Sequence, residues 1–242
     1  MSDGKTVAIL IPCYNEELTI GKVIDDFRNA VPQADIYVYD NNSTDLSAEI
    51  ARKCGAIVRE CPIQGKGAVV KQMFEEIDAD KYLMVDADDT YPPELAQQML
   101  YYLDNMACNM VIGDRLSVNY YEDNTRRFHG IGNSTVKWLV NHLFRGRAID
   151  VIQEKPTNIT DVMTGYRAFD RKFVKNIGLT KDGFEVETEM TILALKKGLH
   201  IGTMPVPYRD RPEGSYSKLS TIRDGIKVLR LIFQSLFIHV DC

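Results

Sequence analysis

Short apolar runs alternate with stretches of helical periodicity through the first 114 residues of the chain. Runs of four to six residues rich in Val, Ile, Leu and Tyr are typical of strands buried on both faces of a sheet. They predict strands over residues 6–11, 36–40, 56–60, 82–85 and 110–114. Between them, apolar side chains recur at every third or fourth position, which predicts helices over residues 20–27, 43–54, 70–77 and 95–102.

This alternation of strands and helices predicts the fold class. Strands that alternate with short helices form an α/β fold with a mostly parallel central sheet and helices on both faces. A chain of 242 residues is long enough to bury a sizeable core and suits a single domain. We see no internal repeat, low-complexity tract or long linker in the sequence.

The segment from residue 221 to residue 240 is amphipathic. The apolar residues Ile222, Ile226, Leu229, Phe233 and Leu236 share one helical face, and the basic residues Arg223, Lys227 and Arg230 lie elsewhere. Two interpretations stay open: a helix packed on its own domain, or a helix that lies on an anionic membrane. Trp138 lies in another apolar helical pattern, "VKWLVNHLF", for which we predict core packing, with a lipid-facing helix as the alternative.

The composition narrows the class of protein. With 45% hydrophobic and 26% charged residues the chain is typical of a globular protein. No apolar run approaches the roughly 20 residues that cross a bilayer, and the apolar stretch before Pro12 is too short for a secretory signal. The five cysteines include no Cys-x-x-Cys pair, which favours free thiols in a reducing cytosol. We therefore expect a cytoplasmic protein.

The net charge of −5 hides an asymmetry between the two halves of the chain. Residues 1–114 carry 9 basic and 20 acidic side chains, whereas residues 115–242 carry 20 basic and 14 acidic ones. This difference is either ordinary surface variation or the sign of a first half that handles a metal and a second half that faces an anionic ligand. We expect no nucleic-acid partner.

Polar segments follow four of the predicted strands at the point where each strand ends. They are residues 12–17, 40–43, 65–67 and 86–88. In open α/β sheets, ligands bind beyond the carboxyl ends of the strands, so four such segments on one predicted edge indicate a binding site.

The chemistry of these segments suits a nucleotide-linked ligand. Asp86 and Asp88 follow a predicted strand directly, and the acidic cluster there is either a solvated turn or a site for Mg²⁺ or Mn²⁺ beside a diphosphate. Glu16 or Asp40 could accept hydrogen bonds from a nucleobase or ribose. Lys66 stands between two glycines, on a loop whose backbone can approach a ligand closely. Neither a P-loop nor a Gly-x-Gly-x-x-Gly motif is present, which disfavours a dinucleotide dehydrogenase.

These segments, with four later ones, resemble the motifs of a known family. In chain order they read "IPCYNEE", "YDNNSTD", "GKG", "VDADD", "GDR", "RRFHGIGNS", "DVMTGYRAF" and "RPEGSYSKLS". Their ordered set is similar to that of the family 2 glycosyltransferases, and most similar to the polyprenyl-phosphate group that includes dolichyl-phosphate mannose synthase. The resemblance implies a GT-A fold, a nucleotide-sugar donor and a divalent metal ion.

The resemblance also implies roles for individual residues. Nucleotide-binding residues would be Pro12, Tyr14, Glu16, Asp40, Lys66 and Asp86, and the metal ligands would be Asp86 and Asp88. The acceptor phosphate would be bound by Arg126, Arg127, Arg211 and Lys218, and the catalytic residues would be Asp88, Arg115 and Asp161. Thr90 replaces a Gln ligand of some relatives, and Asn41-Asn42 replaces the usual Asp-Gly. The second change bears on the nucleobase contacts, and we expect a UDP-sugar in preference to a GDP-sugar.

On this resemblance the chain is one GT-A domain with three parts. Residues 1–114 form a nucleotide-binding half, residues 115–220 a basic acceptor-binding half, and residues 221–242 an amphipathic C-terminal helix. We expect an inverting transfer of a sugar to a polyprenyl or dolichyl phosphate by a protein bound peripherally to the cytoplasmic face of a membrane. A same-fold transferase acting on a sugar hydroxyl, with Asp161 as general base, and a non-catalytic nucleotide-sugar-binding module are the alternatives.

Overall fold

A computed structural model describes residues 5–117, 127–145 and 147–237 of the chain, without the side chains of residues 127–133. Its centre is a nine-stranded sheet with the strand order β3-β2-β1-β4-β8-β5-β9-β6-β7. The strands are β1 Val7–Cys13, β2 Ala34–Asp40, β3 Ile57–Glu60, β4 Lys81–Met84, β5 Met110–Asp114, β6 Ala148–Asp150, β7 Lys155–Thr157, β8 Arg167–Asp170 and β9 Ile201–Pro205.

The sheet is mostly parallel, as the sequence predicts. Strand β1 pairs in parallel with β2 and with β4, and β2 pairs in parallel with β3. Strand β8 is antiparallel and lies between β4 and β5, while β9 pairs in parallel with both β5 and β6. Because β1, β2 and β4 run in one direction, their carboxyl ends meet at one edge of the sheet.

Helices cover both faces of this sheet. They are α1 Ile20–Ala30, α2 Ser47–Lys53, α3 Lys66–Glu76, α4 Ala96–Asn105, α5 Arg127–Leu143, α6 Arg171–Asn176, α7 Val186–Lys196 and α8 Thr221–Ser235. A 3₁₀ turn at Pro93–Leu95 precedes α4. The predicted helix over residues 43–54 begins only at Ser47. Asn42 adopts a left-handed conformation with φ of 63°, and the backbone N–H of Ser43 donates to Asp40, so this stretch is a turn and not helix.

The central strands are buried on both faces because helices cover both sides of the sheet. In β1, alternate side chains belong to two different hydrophobic clusters: Ala8 and Leu10 to one, Ile9 and Ile11 to the other. Burying a large aliphatic side chain contributes roughly 1.5–3 kcal/mol, so this continuous apolar run fixes β1 in the interior of the sheet, with a strand on either side.

The C-terminal helix α8 packs on the domain through a different stripe from the one that periodicity singled out. Val228, Leu231 and Ile232 are buried, and the helix contacts α5 and α7. The predicted apolar face is instead largely exposed: Ile222, Ile226, Phe233 and Leu236 are 79%, 62%, 52% and 42% exposed.

The prediction of core packing for Trp138 is wrong. Its side chain is 60% exposed and stacks on His142 of the same helix, with ring centroids 5.0 Å apart. Within the described parts of the chain, no helix is both long and apolar enough to cross a membrane.

Candidate active site

A cavity of ≈ 720 Å³ opens at the sheet edge where β1, β2 and β4 end. All four polar segments predicted from the sequence contribute to its wall, with side chains that include Pro12, Tyr14, Glu16, Asn41, Lys66, Asp86 and Asp88. Two further segments complete the wall: the loop of residues 180–185 before α7, and residues 211–227, which lead into α8. The acidic cluster after β4 is therefore part of a cavity wall.

Lys66 links two carboxylates at the base of this wall. Its Nζ atom lies 2.5 Å from Asp86 Oδ1 and 2.6 Å from Glu187 Oε1, and its side chain is only 11% exposed. Burial alone would lower the pKa of Lys66, but the charges of Asp86 and Glu187 outweigh it and hold the pKa above its ordinary value. Lys66 is thus a fixed cation that orients Asp86.

The charge of Asp88 is neutralised by a different basic residue, Arg211. Arg211 Nη2 lies 2.5 Å from Asp88 Oδ2, and the hydroxyl of Thr90 donates to Asp88 Oδ1 at 2.6 Å. Burial and the charge of Asp86 raise the pKa of Asp88, while Arg211 and Thr90 act against that rise. Thr90 therefore orients Asp88 through its hydroxyl.

Glu16 forms ion pairs with two basic residues of the segment before α8. Arg211 Nη1 lies 3.1 Å and Lys218 Nζ 2.6 Å from Glu16 Oε1, and the Ser215 hydroxyl donates to Oε2 at 3.2 Å. Burial alone would lower the pKa of Arg211, but the charges of Asp88 and Glu16 raise it. Two of the four residues predicted for an acceptor phosphate, Arg211 and Lys218, therefore lie on carboxylates from the first half of the chain. We refer to residues 211–218 as the basic strap.

Asp40 and Asn41 lie at the end of β2 and differ in how fully their side chains are hydrogen-bonded within the protein. Asn41 donates to the carbonyl oxygens of Cys61 and Ile63, and its Oδ1 accepts from Gln64 Nε2 and the Gly65 N–H, so its amide is fully used in shaping this loop. Asp40 Oδ2 accepts from the Ser43 N–H, but its buried Oδ1 has no hydrogen-bond partner. Asp40 itself is not among the residues that line the cavity, although its neighbour Asn41 is. Because buried acceptors are normally paired, Asp40 Oδ1 is a candidate contact for a ligand donor that reaches the end of β2.

Arg115 and Asp161 form a separate buried pair. Arg115 Nε lies 2.7 Å from Asp161 Oδ2, and Nη2 lies 3.0 Å from Oδ1. The Arg115 guanidinium also lies over the Tyr208 ring, 5.1 Å from its centroid. Asp161 is completely buried and both its oxygens are engaged, so its carboxylate is not presented to the cavity as a free base.

Two predicted phosphate ligands cannot be placed from this structure. Arg126 lies outside the described residues. Arg127 is the first residue of α5, and its side chain lies outside the described part of the chain. Both residues stay sequence predictions.

Sequence reasoning missed the contribution of α7 and of Gly165. Glu185, Glu187 and Glu189 are all buried, although they begin a helix rich in apolar residues. The sequence signal was the presence of three Glu residues within an otherwise apolar helical segment. Charged residues are rarely buried without a partner, so such residues are candidates for a binding site. Gly165 lies against Asp86: a Cβ built there would come 2.7 Å from Asp86 Cγ, far inside van der Waals contact.

The donor set of Asp86 and Asp88 suits a hard divalent cation. Carboxylate oxygens are preferred ligands of Mg²⁺ and Mn²⁺, and two carboxylates in one cavity wall favour a positive charge beside them. Arg211 and Lys66 supply that positive charge here. In the described ranges no group of three or more His, Cys, Asp or Glu side chains could hold a metal, so protein ligands beyond these two are not apparent there.

The chain is similar to known glycosyltransferases. The family model described as glycosyl transferase family 2 matches residues 8–178. Over 98% of its length the chain is 37% identical to glycosyltransferase AglJ of Haloferax volcanii and covers 73% of that protein. It is 30% identical to a dolichyl-phosphate hexose transferase of the same organism, across 94% of this chain and 92% of the relative.

A solved structure shows the same fold. Glucosyl-3-phosphoglycerate synthase of Mycobacterium tuberculosis, in complex with Mn²⁺, UDP-glucose and phosphoglyceric acid, superposes with a TM-score of 0.72 at 18% sequence identity. The likeness covers 97% of this chain and 81% of that one, and it confirms the predicted GT-A-like architecture.

The contact at Gly165 can be tested by adding one methyl group. We expect Gly165→Ala to displace the Asp86 carboxylate from Lys66 and to lower the free energy of unfolding by about 1–3 kcal/mol, as overpacking does. Gly225→Ala is the matched control, because nothing lies within 4 Å of a Cβ built there in α8. Urea denaturation measures both variants. Equal stability of Gly165→Ala and the wild type would contradict the proposed close approach.

Proposed function

Because the chain belongs to glycosyl transferase family 2, we propose that it is an inverting, metal-dependent enzyme that transfers a sugar from a UDP-sugar to a polyprenyl or dolichyl phosphate. One observation carries this proposal: a single cavity joins the Asp86 and Asp88 carboxylates to the basic residues Lys218, Arg223 and Lys227. A donor diphosphate with its metal suits the acidic end, and an acceptor phosphate suits the basic end. The dolichyl-phosphate hexose transferase among the relatives supports the same class of acceptor.

Asp86 and Asp88 would hold Mg²⁺ or Mn²⁺ when the donor is bound. The metal would stabilise the negative charge that develops on the departing nucleoside diphosphate. The Mn²⁺ and UDP-glucose in the M. tuberculosis structure support this assignment, because that protein shares the fold. The ion pair with Lys66 holds the Asp86 carboxylate in place.

The contacts at the end of β2 favour UDP over GDP. Uracil presents one ring N–H on its pairing edge, whereas guanine presents a ring N–H and an amino group side by side. Asp40 offers a single unpaired oxygen, since its other oxygen accepts from Ser43. Asn41 has no free amide atom left to read a second donor. This arrangement suits the single donor of uracil.

The state of Asp161 favours a phosphate acceptor over a sugar hydroxyl. A hydroxyl needs a positioned general base, and Asp161 is fully engaged by Arg115. A phosphate monoester is already largely dianionic near neutral pH, since its second pKa is about 6. An acceptor phosphate oxygen would attack the anomeric carbon in line, the bond to the donor diphosphate would break, and the anomeric configuration would invert.

The basic strap fits an exchange of partners during this reaction. Arg211 and Lys218 neutralise Asp88 and Glu16 in the structure. With Asp88 holding a metal ion, the Arg211 guanidinium would be free to bind another anion. Its planar fork of donors suits the oxygens of the incoming acceptor phosphate.

The exposed face of α8 fits a peripheral membrane surface. Four large apolar side chains lie exposed along it, and Arg223 and Lys227 of the same helix line the cavity. A polyprenyl chain leaves its bilayer only at high cost, so the cavity must meet the lipid surface. Apolar side chains bordered by cations bind such surfaces when anionic lipids are present, which supports docking on the cytoplasmic face.

The metal assignment is tested at Asp88. We expect Asp88→Asn to abolish metal-dependent release of nucleoside diphosphate while the melting temperature stays close to that of the wild type, because the substitution preserves the side-chain volume. Asp89→Asn is the matched control: Asp89 pairs with Lys22, and its φ of 57° is one that Asn adopts readily. Turnover by Asp88→Asn at the wild-type rate with Mn²⁺ present would remove the metal assignment.

The exchange of partners predicts opposite effects at Arg211. We expect Arg211→Ala to raise the KM for a short polyprenyl phosphate by about 10-fold or more, the loss of one charge-assisted hydrogen bond. Calorimetry should show Mn²⁺ binding more tightly, because the competing cation is gone, and UDP affinity changing far less. Lys218→Ala should likewise weaken acceptor use.

The matched control for Arg211 is Arg209→Ala, since Arg209 pairs with the exposed Glu94. A loss of UDP affinity equal to the loss of acceptor use would place Arg211 on the donor diphosphate instead.

Membrane docking is tested by vesicle co-sedimentation. We expect the protein to bind anionic vesicles more strongly than neutral ones, with added salt reducing the difference. Ile226→Ser and Phe233→Ser should each weaken binding, whereas Ile152→Ser, which removes an equally exposed apolar side chain elsewhere, should not. Arg230→Glu should reduce binding to anionic vesicles only. Binding that ignores both lipid charge and these substitutions would remove α8 from the docking surface.

A further inference from the structure

Glu185 is a buried carboxylate in the cavity wall whose role the proposed reaction does not explain. The residue is 8% exposed, and its Oε2 atom is buried without a hydrogen-bond partner. Glu185 precedes α7 at the N-cap position, yet its side chain caps no backbone N–H there. Among the described residues it makes no ion pair, unlike Glu187 two positions later. A buried carboxylate left in this state indicates a ligand that donates hydrogen bonds.

The carboxylate is held in the wall by the loop before it. A Cβ built at Gly183 would overlap Glu185 Oε2 and lie 3.2 Å from its Cδ, so the side chain folds back over this glycine. The loop itself is fixed by Glu189, which accepts from the backbone N–H groups of Thr180 and Lys181 at 3.0 Å each. Glu185 is therefore preorganised.

The same loop is clamped to the diphosphate end of the cavity. A Cβ built at Gly65 or Gly67 would overlap the carbonyl oxygens of Asp182 or Lys181, so only glycine permits this approach of the two backbones. The Ala68 N–H donates to the Asp182 carbonyl oxygen at 3.1 Å. Glu185 thus belongs to a rigid wall that also carries Lys66.

We propose that Glu185 binds hydroxyl groups of the donor's hexose. The proposal rests on the proposed function and names the residue that recognises the sugar. The hexose lies between the donor diphosphate and the acceptor phosphate, and Glu185 lines the cavity that joins those two ends. A carboxylate repels both phosphates, but it accepts strong hydrogen bonds from neighbouring sugar hydroxyls. The ribose of the donor also carries neutral hydroxyl groups, but it is present in UDP as well, so comparing UDP with a UDP-sugar distinguishes the two.

The inference predicts a selective loss of sugar recognition. Calorimetry in the presence of Mn²⁺ first measures the affinity of the wild type for UDP, UDP-glucose, UDP-galactose and UDP-N-acetylglucosamine. The UDP-sugar whose affinity most exceeds that of UDP is then used as the probe. We expect Glu185→Ala and Glu185→Gln to weaken binding of that sugar nucleotide by about 10- to 100-fold, the loss of a hydrogen bond to a charged group. Affinity for UDP itself should stay within about two-fold.

Two further variants keep the result interpretable. Gly183→Ala should reproduce the selective loss, because the added methyl group displaces the Glu185 carboxylate. Glu75→Gln, on the exposed face of α3, is the control and should change neither affinity. Deoxy analogues of the chosen UDP-sugar serve as a second measurement: an analogue that binds the wild type more weakly should lose no further affinity in Glu185→Gln.

The outcomes separate this inference from the proposed function. If Glu185 variants keep the full difference between UDP-sugar and UDP, or if the wild type shows no such difference, the assignment of Glu185 is wrong while UDP binding and transfer still stand. If the wild type binds neither UDP nor a UDP-sugar and releases no diphosphate with a polyprenyl phosphate, the proposed function fails, and the inference fails with it.

Discussion

The site depends on one buried cation, Lys66, held between the carboxylates of Asp86 and Glu187. The three residues come from the start of α3, the end of β4 and the start of α7, so a single set of contacts ties three elements together. Removing charges from water costs several kcal/mol per ion, and only mutual neutralisation with good geometry offsets that cost. The network is stable because the glycines on either side of Lys66 let the loop of residues 180–183 cover it without a clash.

The charge asymmetry of the chain has a structural explanation in this cavity. Arg211 and Lys218, from the basic half, lie on Glu16, which is about two hundred residues away in the acidic half. The two halves therefore neutralise each other across the site. Since the side chains of Asp88 and Glu16 are only 4% and 8% exposed, their charges are weakly screened by solvent, and the basic strap supplies the compensating positive charge.

The parts of the fold that follow local rules were predictable from the sequence. Five strands and the polar segments at four strand ends are encoded by apolar runs and by the residues that directly follow them. The insertion of β8 between β4 and β5 was not predictable, because antiparallel pairing over three or four residues depends on contacts more than fifty residues apart. For α8, periodicity identified an apolar face, but Val228 and Ile232 pack against neighbouring helices that the sequence pattern does not specify.

The roles of Asn41 and Asp161 show why residue type alone does not define a site. Both belong to motifs that indicate ligand chemistry. The Asn41 amide, however, is hydrogen-bonded to a loop of the protein, and the Asp161 carboxylate is paired with Arg115. Glu185, which no motif singled out, keeps an unpaired oxygen instead. What distinguishes these residues is whether their hydrogen-bonding capacity is used within the protein, and that depends on long-range packing.

On the proposed function, the pairing of Arg211 with Asp88 would couple donor binding to acceptor binding. Asp88 would exchange Arg211 for a metal ion bound with the donor, and Arg211 would exchange Asp88 for the acceptor phosphate. Each ligand would then remove a contact that opposes the other. Such coupling is reciprocal: if the donor raises the affinity for the acceptor by some factor, the acceptor raises the affinity for the donor by the same factor. The basic strap, which contacts both Asp88 and Glu16, would be the element that connects the two ends of the cavity.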